Sequence, residues 1–537
     1  MLLDARSLPN DGTLEADVCI IGAGPAGITL ALELARTDLR VLVLESGDAG
    51  WTTRGKGLAR GENADPNYFR LEWARIRTFG GSSWAWRSHG LRTRPLDRLD
   101  FEARPEIDRP GWPIGADALA HHWDRATALC RLPSRGYDVE DWQTPQAPAL
   151  SGDDDLDTAM FPVGPGDAFT SRLDELGELD NVTCVTHATV LELQTDASGR
   201  RVERAWVTSG AGRSHTVSAR TFALALGGIE NARLLLLSHR THRHGIGNAH
   251  DLVGRHFMEH PHIRTGVLEP RVPARDFRLY QRVEHPEGEA IGFLRPSEAA
   301  LRREGLLNSA WALHPATPEL TSEVGRSLTD VKDTLRTFWR VTPHTGARVG
   351  TLARHPVRAV TTLAGSRDVR RGAAPTPRFR LLGMTEQEPH RDSRVVLGTR
   401  RDRYGQPVAR LDWRLTERDL WTVRRTQEVL SAALERAGVG RIVQRFGDEH
   451  PPPLIGGGFH HMGTTRMDRD PRAGVVDTDG RVHDMANLYV AGSSVFPTGG
   501  VANPTLTLLA LTLRLADHLR QQLVASRPTG AADLTRP

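Results

Sequence analysis

The sequence predicts an α/β protein, a Rossmann-like unit interleaved with a mixed α+β region, and three stretches carry that expectation. The first is Asp17–Glu45, DVCIIGAGPAGITLALELARTDLRVLVLE. The second is Thr221–Leu237, TFALALGGIENARLLLL, another strand–glycine–helix unit that returns the chain to the first sheet. The third is Asn487–Gly492, NLYVAG, a buried strand ending in glycine near the far end of the chain.

In the first stretch, Val18–Ile21 is a short apolar run suited to a buried parallel strand. Gly22-x-Gly24-x-x-Gly27 follows directly. Gly22 permits a tight turn, Gly24 lets backbone approach a pyrophosphate, and Gly27 lets helix and strand pack closely. The helix from Pro25 aims free N–H groups at the phosphate. A second strand, Arg40–Leu44, ends at Glu45, eighteen residues beyond Gly27. An acid there accepts hydrogen bonds from a ribose diol. The glycines alone are equally those of an ordinary βαβ turn. Strand, glycines, helix, strand and acid in register point to a dinucleotide.

A chain of 537 residues has room for two or more cores. With 39% hydrophobic and 25% charged residues it is globular in composition, and a net charge of +3 argues against a nucleic-acid partner. Lys56 and Lys332 are the only lysines among 69 basic residues, an arginine bias that reflects codon composition more than phosphate recognition. Cys19, Cys130 and Cys184 form no disulfide framework, CxxC or CxxCH, so neither structural zinc nor covalent haem is expected. The opening MLLDARSLPNDGTLEAD has no long apolar region or twin arginine, and no apolar run reaches membrane-spanning length. The expectation is a cytoplasmic protein with no membrane anchor.

Residues 1–16 read as a lead-in to the first strand, and a loop with Gly47, Gly50 and Gly55 follows Glu45. Phe79-Gly80-Gly81-Ser82-Ser83-Trp84 suits backbone lying against a flat ligand. A helix is expected over 115–132, and a β meander over 180–222 with a turn at Ala197–Gly199. Residues 260–455 differ in texture. They carry short strands, many prolines and a hairpin from Arg394 to Trp413 turning at Tyr404-Gly405. A helix follows from Glu417 to Ala437, with Thr416 as N-cap and Gly438 as stop. The densest motifs come last: Gly456–Met467, GGGFHHMGTTRM, and Gly499–Thr507, GGVANPTLT, whose helix starts after Pro504. Residues 526–537 read as a disordered tail.

As an ordered set, GAGPAG…LES, FGGSSW, ALGGIENARLLL, GRHFMEHP at 254–261 and HHMGTTRM…NLYVAGSSVFPTGGVANPTLT resemble the GMC (glucose–methanol–choline) flavoprotein oxidoreductases over most of the chain. The resemblance implies an FAD-binding Rossmann-like domain (1–100, 185–260 and 456–525) interleaved with a substrate-binding domain (101–184 and 261–455). It implies FAD contacts at Gly22, Gly24, Gly27, Glu45, Gly80, Gly81, Ser82, Ser83, Val190, Gly227, Gly492, Ser493, Asn503 and Thr505. In the family pattern H-x-x-G-T-x-R-M the catalytic histidine matches His460, and the second catalytic position falls on Asn503. The adjacent His461 is assigned to packing or solvent contact.

The chemistry suits these residues. Alcohol oxidation removes a hydroxyl proton and a carbon-bound hydride. Imidazole supplies a base near neutral pH, and an amide holds the alcohol oxygen without competing for the proton. Family members that tether FAD do so through a histidine just after the double glycine. Here that position is Ala85 and His89 lies too far along, so non-covalent FAD is expected. His260 and His262 form an HxH pair with no carboxylate or cysteine placed to complete a zinc site, and both are read as structural or pocket-lining.

The C-terminal pattern is closest to the sugar-oxidising branch, including oxidases of aminoglycoside precursors. The expected substrate is therefore a sugar, glycoside or amino-sugar hydroxyl, with oxygen as acceptor. A dehydrogenase passing electrons to a quinone or protein, and a hydroxynitrile-type lyase on the same fold, are the competing readings. Oligomeric state is not legible.

Overall fold

Val18–Ile21 is buried on all sides because its strand has a neighbour on each edge. The computed structural model describes the whole chain except residues 66–67, 151–152, 337–344, 371–377, 449–454 and 526–537, so the expected tail lies outside the described residues. The strand runs Gly12–Ile21. Val41–Leu44 pairs in parallel on one side, Val18 opposite Val41 and Ile21 opposite Leu44. Arg213–Leu224 pairs in parallel on the other, from Gly12 opposite His215 to Ile21 opposite Leu224. Val18, Cys19, Ile20 and Ile21 are at most 2% exposed. Burial of each large aliphatic side chain contributes about 1.5–3 kcal/mol.

That pairing corrects one expectation. Residues 12–16 are strand rather than lead-in, because His215–Ala219 supply a ladder that the local sequence does not reveal. The loop after Glu45 also holds a short helix, Thr53–Leu58, with Thr52 as its N-cap. The helix expected over 115–132 divides into a 3-10 segment, Ala116–His122, and an α-helix, Trp123–Leu129. Leu119 and Ala126 are buried at helical spacing across that division, which is the periodicity the sequence displays.

The first sheet has eight strands among the described residues, in the order 2–4, 182–186, 41–44, 12–21, 213–224, 202–210 and 189–195, with 488–490 also on 213–224. The expected meander supplies the antiparallel edge. Strand 213–224 hands its outer edge from 202–210 to Leu488–Val490, so NLYVAG reaches the sheet centre beside the glycine turn. Helix Pro25–Leu34 packs against helix Thr505–Ala525, which joins the two ends of the chain.

The second sheet is antiparallel, in the order 440–443, 262–270, 378–385, 309–316, 288–296, 156–164 and 91–92. Helix Glu417–Arg436 covers it, started by a capping box between Thr416 and Asp419. Trp311, Phe379, Leu381, Leu430 and Leu434 form its core. The architecture is a Rossmann-like α/β unit joined to a second unit built on an antiparallel sheet. The last part of the chain joins the second sheet where Ile455–Gly456 pairs with His262 and Ile263, and Met462 then bridges Met258. This antiparallel run lays Glu259-His260 beside Gly458–His460, two hundred residues apart in sequence.

Candidate active site

The glycine turn sorts its three glycines by what surrounds them. A Cβ on Gly27 would lie 1.9 Å from the Gly22 carbonyl oxygen, and one on Gly22 would lie 2.6 Å from that of Ala225. These two positions close the packing of strand, helix and second strand. A Cβ on Gly24 would meet nothing within 4 Å. Gly24 faces open space at the N-terminus of the helix from Pro25, where backbone N–H groups have no intrahelical partner. Glu45 lies buried beneath the turn and accepts from the N–H of Ala23 at 3.1 Å and of Gly47 at 2.7 Å.

The Phe79–Trp84 segment covers one side of this turn. Gly80 N–H donates to the Ala23 carbonyl at 2.8 Å, and a Cβ on Gly81 would come within 3.0 Å of the Gly24 Cα. Gly81–Ser88 is a 3-10 helix, with Ser83 Oγ donating to the Gly80 carbonyl and Ser82 Oγ accepting from Ile76 N–H. Gly227 opens a helix with φ +78° and, like Gly492 at φ +116°, has open space where a side chain would be. Ser493 Oγ donates to the His461 carbonyl at 2.8 Å. Val190 sits in the meander opposite Val207. Thr505 begins the last helix, whose entry is held by Thr93: its Oγ1 donates to the Asn503 carbonyl at 2.9 Å and accepts from Leu506 N–H at 3.3 Å. Among the described residues, Gly24, Gly227 and Gly492 thus have open space where a side chain would be, Gly80 and Gly81 close on the turn at Ala23 and Gly24, and Val190 lies two residues beyond Ala188, whose N–H donates to the Glu45 carbonyl at 2.8 Å.

At its C-terminal side lies a cluster of histidines. His260 Nδ1 is 2.8 Å from His460 Nδ1, and His260 Nε2 is 2.9 Å from the Gly500 carbonyl oxygen. His262 stands edge-on to His460 with ring centroids 6.1 Å apart. His461 turns away, its Nε2 3.0 Å from Tyr68 Oη. Burial holds His460 well below the ordinary imidazole range, lowers His260 to about 4 and lowers His262 and His461 to about 3. All four rings are therefore neutral at pH 7. The side-chain amide of Asn503 makes no hydrogen bond to the described protein and is half-buried, three residues beyond the turn that holds His260.

Two further residues hold the cluster. The Glu259 carboxylate is fully buried and accepts from the N–H groups of His260, Gly458 and His460 at 3.2, 3.1 and 2.8 Å. Tyr68 Oη donates to its other oxygen. Burial raises Glu259 to about 7 against these donors. Glu259 lies inside GRHFMEHP, directly before His260, which is the signal that could have exposed it. Tyr68 has no such signal. Its role comes from packing against Phe257 and Trp413.

A family model described as GMC oxidoreductase matches residues 389–512, and one described as FAD dependent oxidoreductase matches residues 17–244. The chain is 25% identical to the fructose dehydrogenase large subunit of Gluconobacter japonicus, over 95% of this chain and 99% of that protein. It is 24% identical to paromamine 6'-oxidase of Streptomyces fradiae, over 95% and 92%. The fold resembles that of pyridoxine 4-oxidase from Mesorbium loti, with TM-score 0.51 and 17% identity over 94% of this chain and 99% of that one. No helix of the described residues is long and apolar enough to cross a membrane.

Proposed function

We propose that this chain, an FAD-dependent enzyme acting on CH–OH groups, oxidises a hydroxyl of a sugar, glycoside or amino sugar to a carbonyl with His460 as base. The observation that carries this reading is the pair formed by a half-buried, neutral His460 and the unengaged amide of Asn503, linked through His260 and the Gly499–Gly500 turn.

FAD, when bound, supplies the acceptor for the hydrogen and electron pair that leave the carbinol carbon. The residues that would hold it are Gly22, Gly24 and Gly27 with the helix from Pro25 at the pyrophosphate, Glu45 at the ribose, and Gly80–Ser83, Gly227, Gly492, Ser493, Asn503 and Thr505 around the remainder. Ala85 stands where a tethering histidine would be, so the association is non-covalent. His460 takes the hydroxyl proton, being neutral and only half-buried, so that one face of its ring is open to a substrate. Asn503 donates an amide N–H to the alcohol oxygen and orients the carbon–hydrogen bond.

The similarity to a paromamine oxidase supports an amino-sugar primary hydroxyl as substrate and oxygen as acceptor. The similarity to a fructose dehydrogenase supports a second reading, in which a quinone or partner protein takes the electrons. An anaerobic screen of sugars, glycosides and aminoglycosides tests the first part: bleaching of the flavin by one of them is expected, and a flavin that stays oxidised with all of them defeats the substrate class. Admitting air then separates the acceptors, because an oxidase recovers its flavin absorbance rapidly and a dehydrogenase does not.

A further inference from the structure

The hydrogen-bond chain behind His460 decides which of its two nitrogens is free to act. A carbonyl oxygen can only accept. His260 Nε2 lies 2.9 Å from the Gly500 oxygen and 3.3 Å from the Gly499 oxygen, so Nε2 carries a proton. A neutral imidazole holds one ring proton. Nδ1 of His260 is therefore bare. That bare nitrogen sits 2.8 Å from Nδ1 of His460, a hydrogen-bond distance that requires a proton between them. Only His460 can supply it.

We propose that His260 is a positioning residue that locks His460 in the tautomer with Nδ1 protonated and Nε2 bare, anchored on the Gly500 carbonyl. The inference rests on reading His460 as the base, and it names the atom at which that base takes its proton. A doubly protonated His260 would reverse the chain, but its ring is 0% exposed and hydrogen-bonds no carboxylate. Burial lowers it to about 4.

The anchor is held from behind. Gly500 N–H donates to Glu386 Oε1 at 3.1 Å, which also takes Arg109 Nη1 at 2.6 Å. Gly500 has φ +54°, and a Cβ there would lie 2.4 Å from Asp100 Oδ2. Thr498 Oγ1 donates to the Asp100 carbonyl at 3.0 Å. The carbonyl therefore cannot rotate away without dismantling a buried network. Because the chain ends on a group that neither gains nor loses a proton at physiological pH, a proton taken at Nε2 has no exit inward. It leaves by the face on which it arrived.

The test is nitrogen NMR of the full-length, FAD-loaded protein carrying 15N-labelled histidine, with the His460 signals identified by their loss in His460→Asn. The expected result is a protonated Nδ1 and a bare Nε2 on His460. A proton on Nε2 overturns the proposal. In His260→Asn the amide oxygen stands near the position of Nδ1 and still accepts, so the same tautomer is expected. In His260→Leu the acceptor is gone and the two tautomers should mix. An unmixed Nδ1–H tautomer in folded His260→Leu would also overturn it. Should His260→Leu fail to fold, the unsubstituted protein and His260→Asn still decide. Failure of the base reading shows elsewhere, as normal turnover in His460→Ala, and leaves the tautomer result standing.

Discussion

The glycine turn at one end of the chain and the histidine cluster at the other are built from different materials. The turn is backbone: its specificity lies in where side chains are missing. The cluster is side chain: its properties come from burial and from partners two hundred residues away. A backbone site is set by sterics, and its residues can be judged one at a time. A buried titratable site is set by collective packing, so each residue's chemistry belongs to its neighbours.

The sharpest way to break this contrast is inside the turn. Gly27→Val places a branched side chain where even a Cβ would be 1.9 Å from a carbonyl oxygen, and the loss of stability should reach about 3 kcal/mol or more. The expected outcome, by yield and thermal melting, is little or no folded protein. Gly24→Val should behave differently, because its side chain enters space that the fold does not use. That variant should fold and melt almost as the unsubstituted chain does, while FAD affinity in equilibrium titration falls about 10–100-fold through one lost backbone–phosphate contact. Equal damage from both substitutions would show that the turn is merely structural.

Acid separates the two regions more gently. His256 and His260 sit at about 4 in the folded chain, and His262 and His461 at about 3, against an ordinary value of 6.5. These lowered groups contribute stability that is complete above pH 6.5 and is lost as pH falls toward 4, because the unfolded chain takes up protons that the folded chain refuses. Each costs about 1 kcal/mol per pH unit in that window. Glu259, raised from 4.5 to about 7, acts in the opposite sense, its contribution lost as pH rises through 7. Asp100 and Asp419 are likewise raised to about 7 and His314 is lowered to about 4, so five histidines face three carboxyls and the melting temperature of the holoenzyme should fall between pH 6.5 and 5. A rise would show that the histidines charge without cost and are not sealed from water.

The same contrast explains what was legible in the sequence. Gly22, Gly24, Gly27, Glu45 and the returning strands at 221 and 488 were readable because local rules govern them. Thr416 is the expected N-cap for the same reason. His460 and Asn503 were readable through motif resemblance. Their surroundings were not. Nothing near His460 announces that His260 bonds to its ring, that Glu259 gathers three backbone N–H groups around it, or that Tyr68 closes the carboxylate. The strand over Gly12–Ala16 has no local signal either, since its pairing partner lies at 215–219.

Whether His460 takes the alcohol proton is tested most directly by the rate of anaerobic flavin reduction in FAD-loaded His460→Ala. With the flavin spectrum unchanged, reduction by the alcohol that bleaches the unsubstituted enzyme should slow by about 10²–10⁴-fold. Reduction at the unsubstituted rate would contradict the assignment of His460 as base.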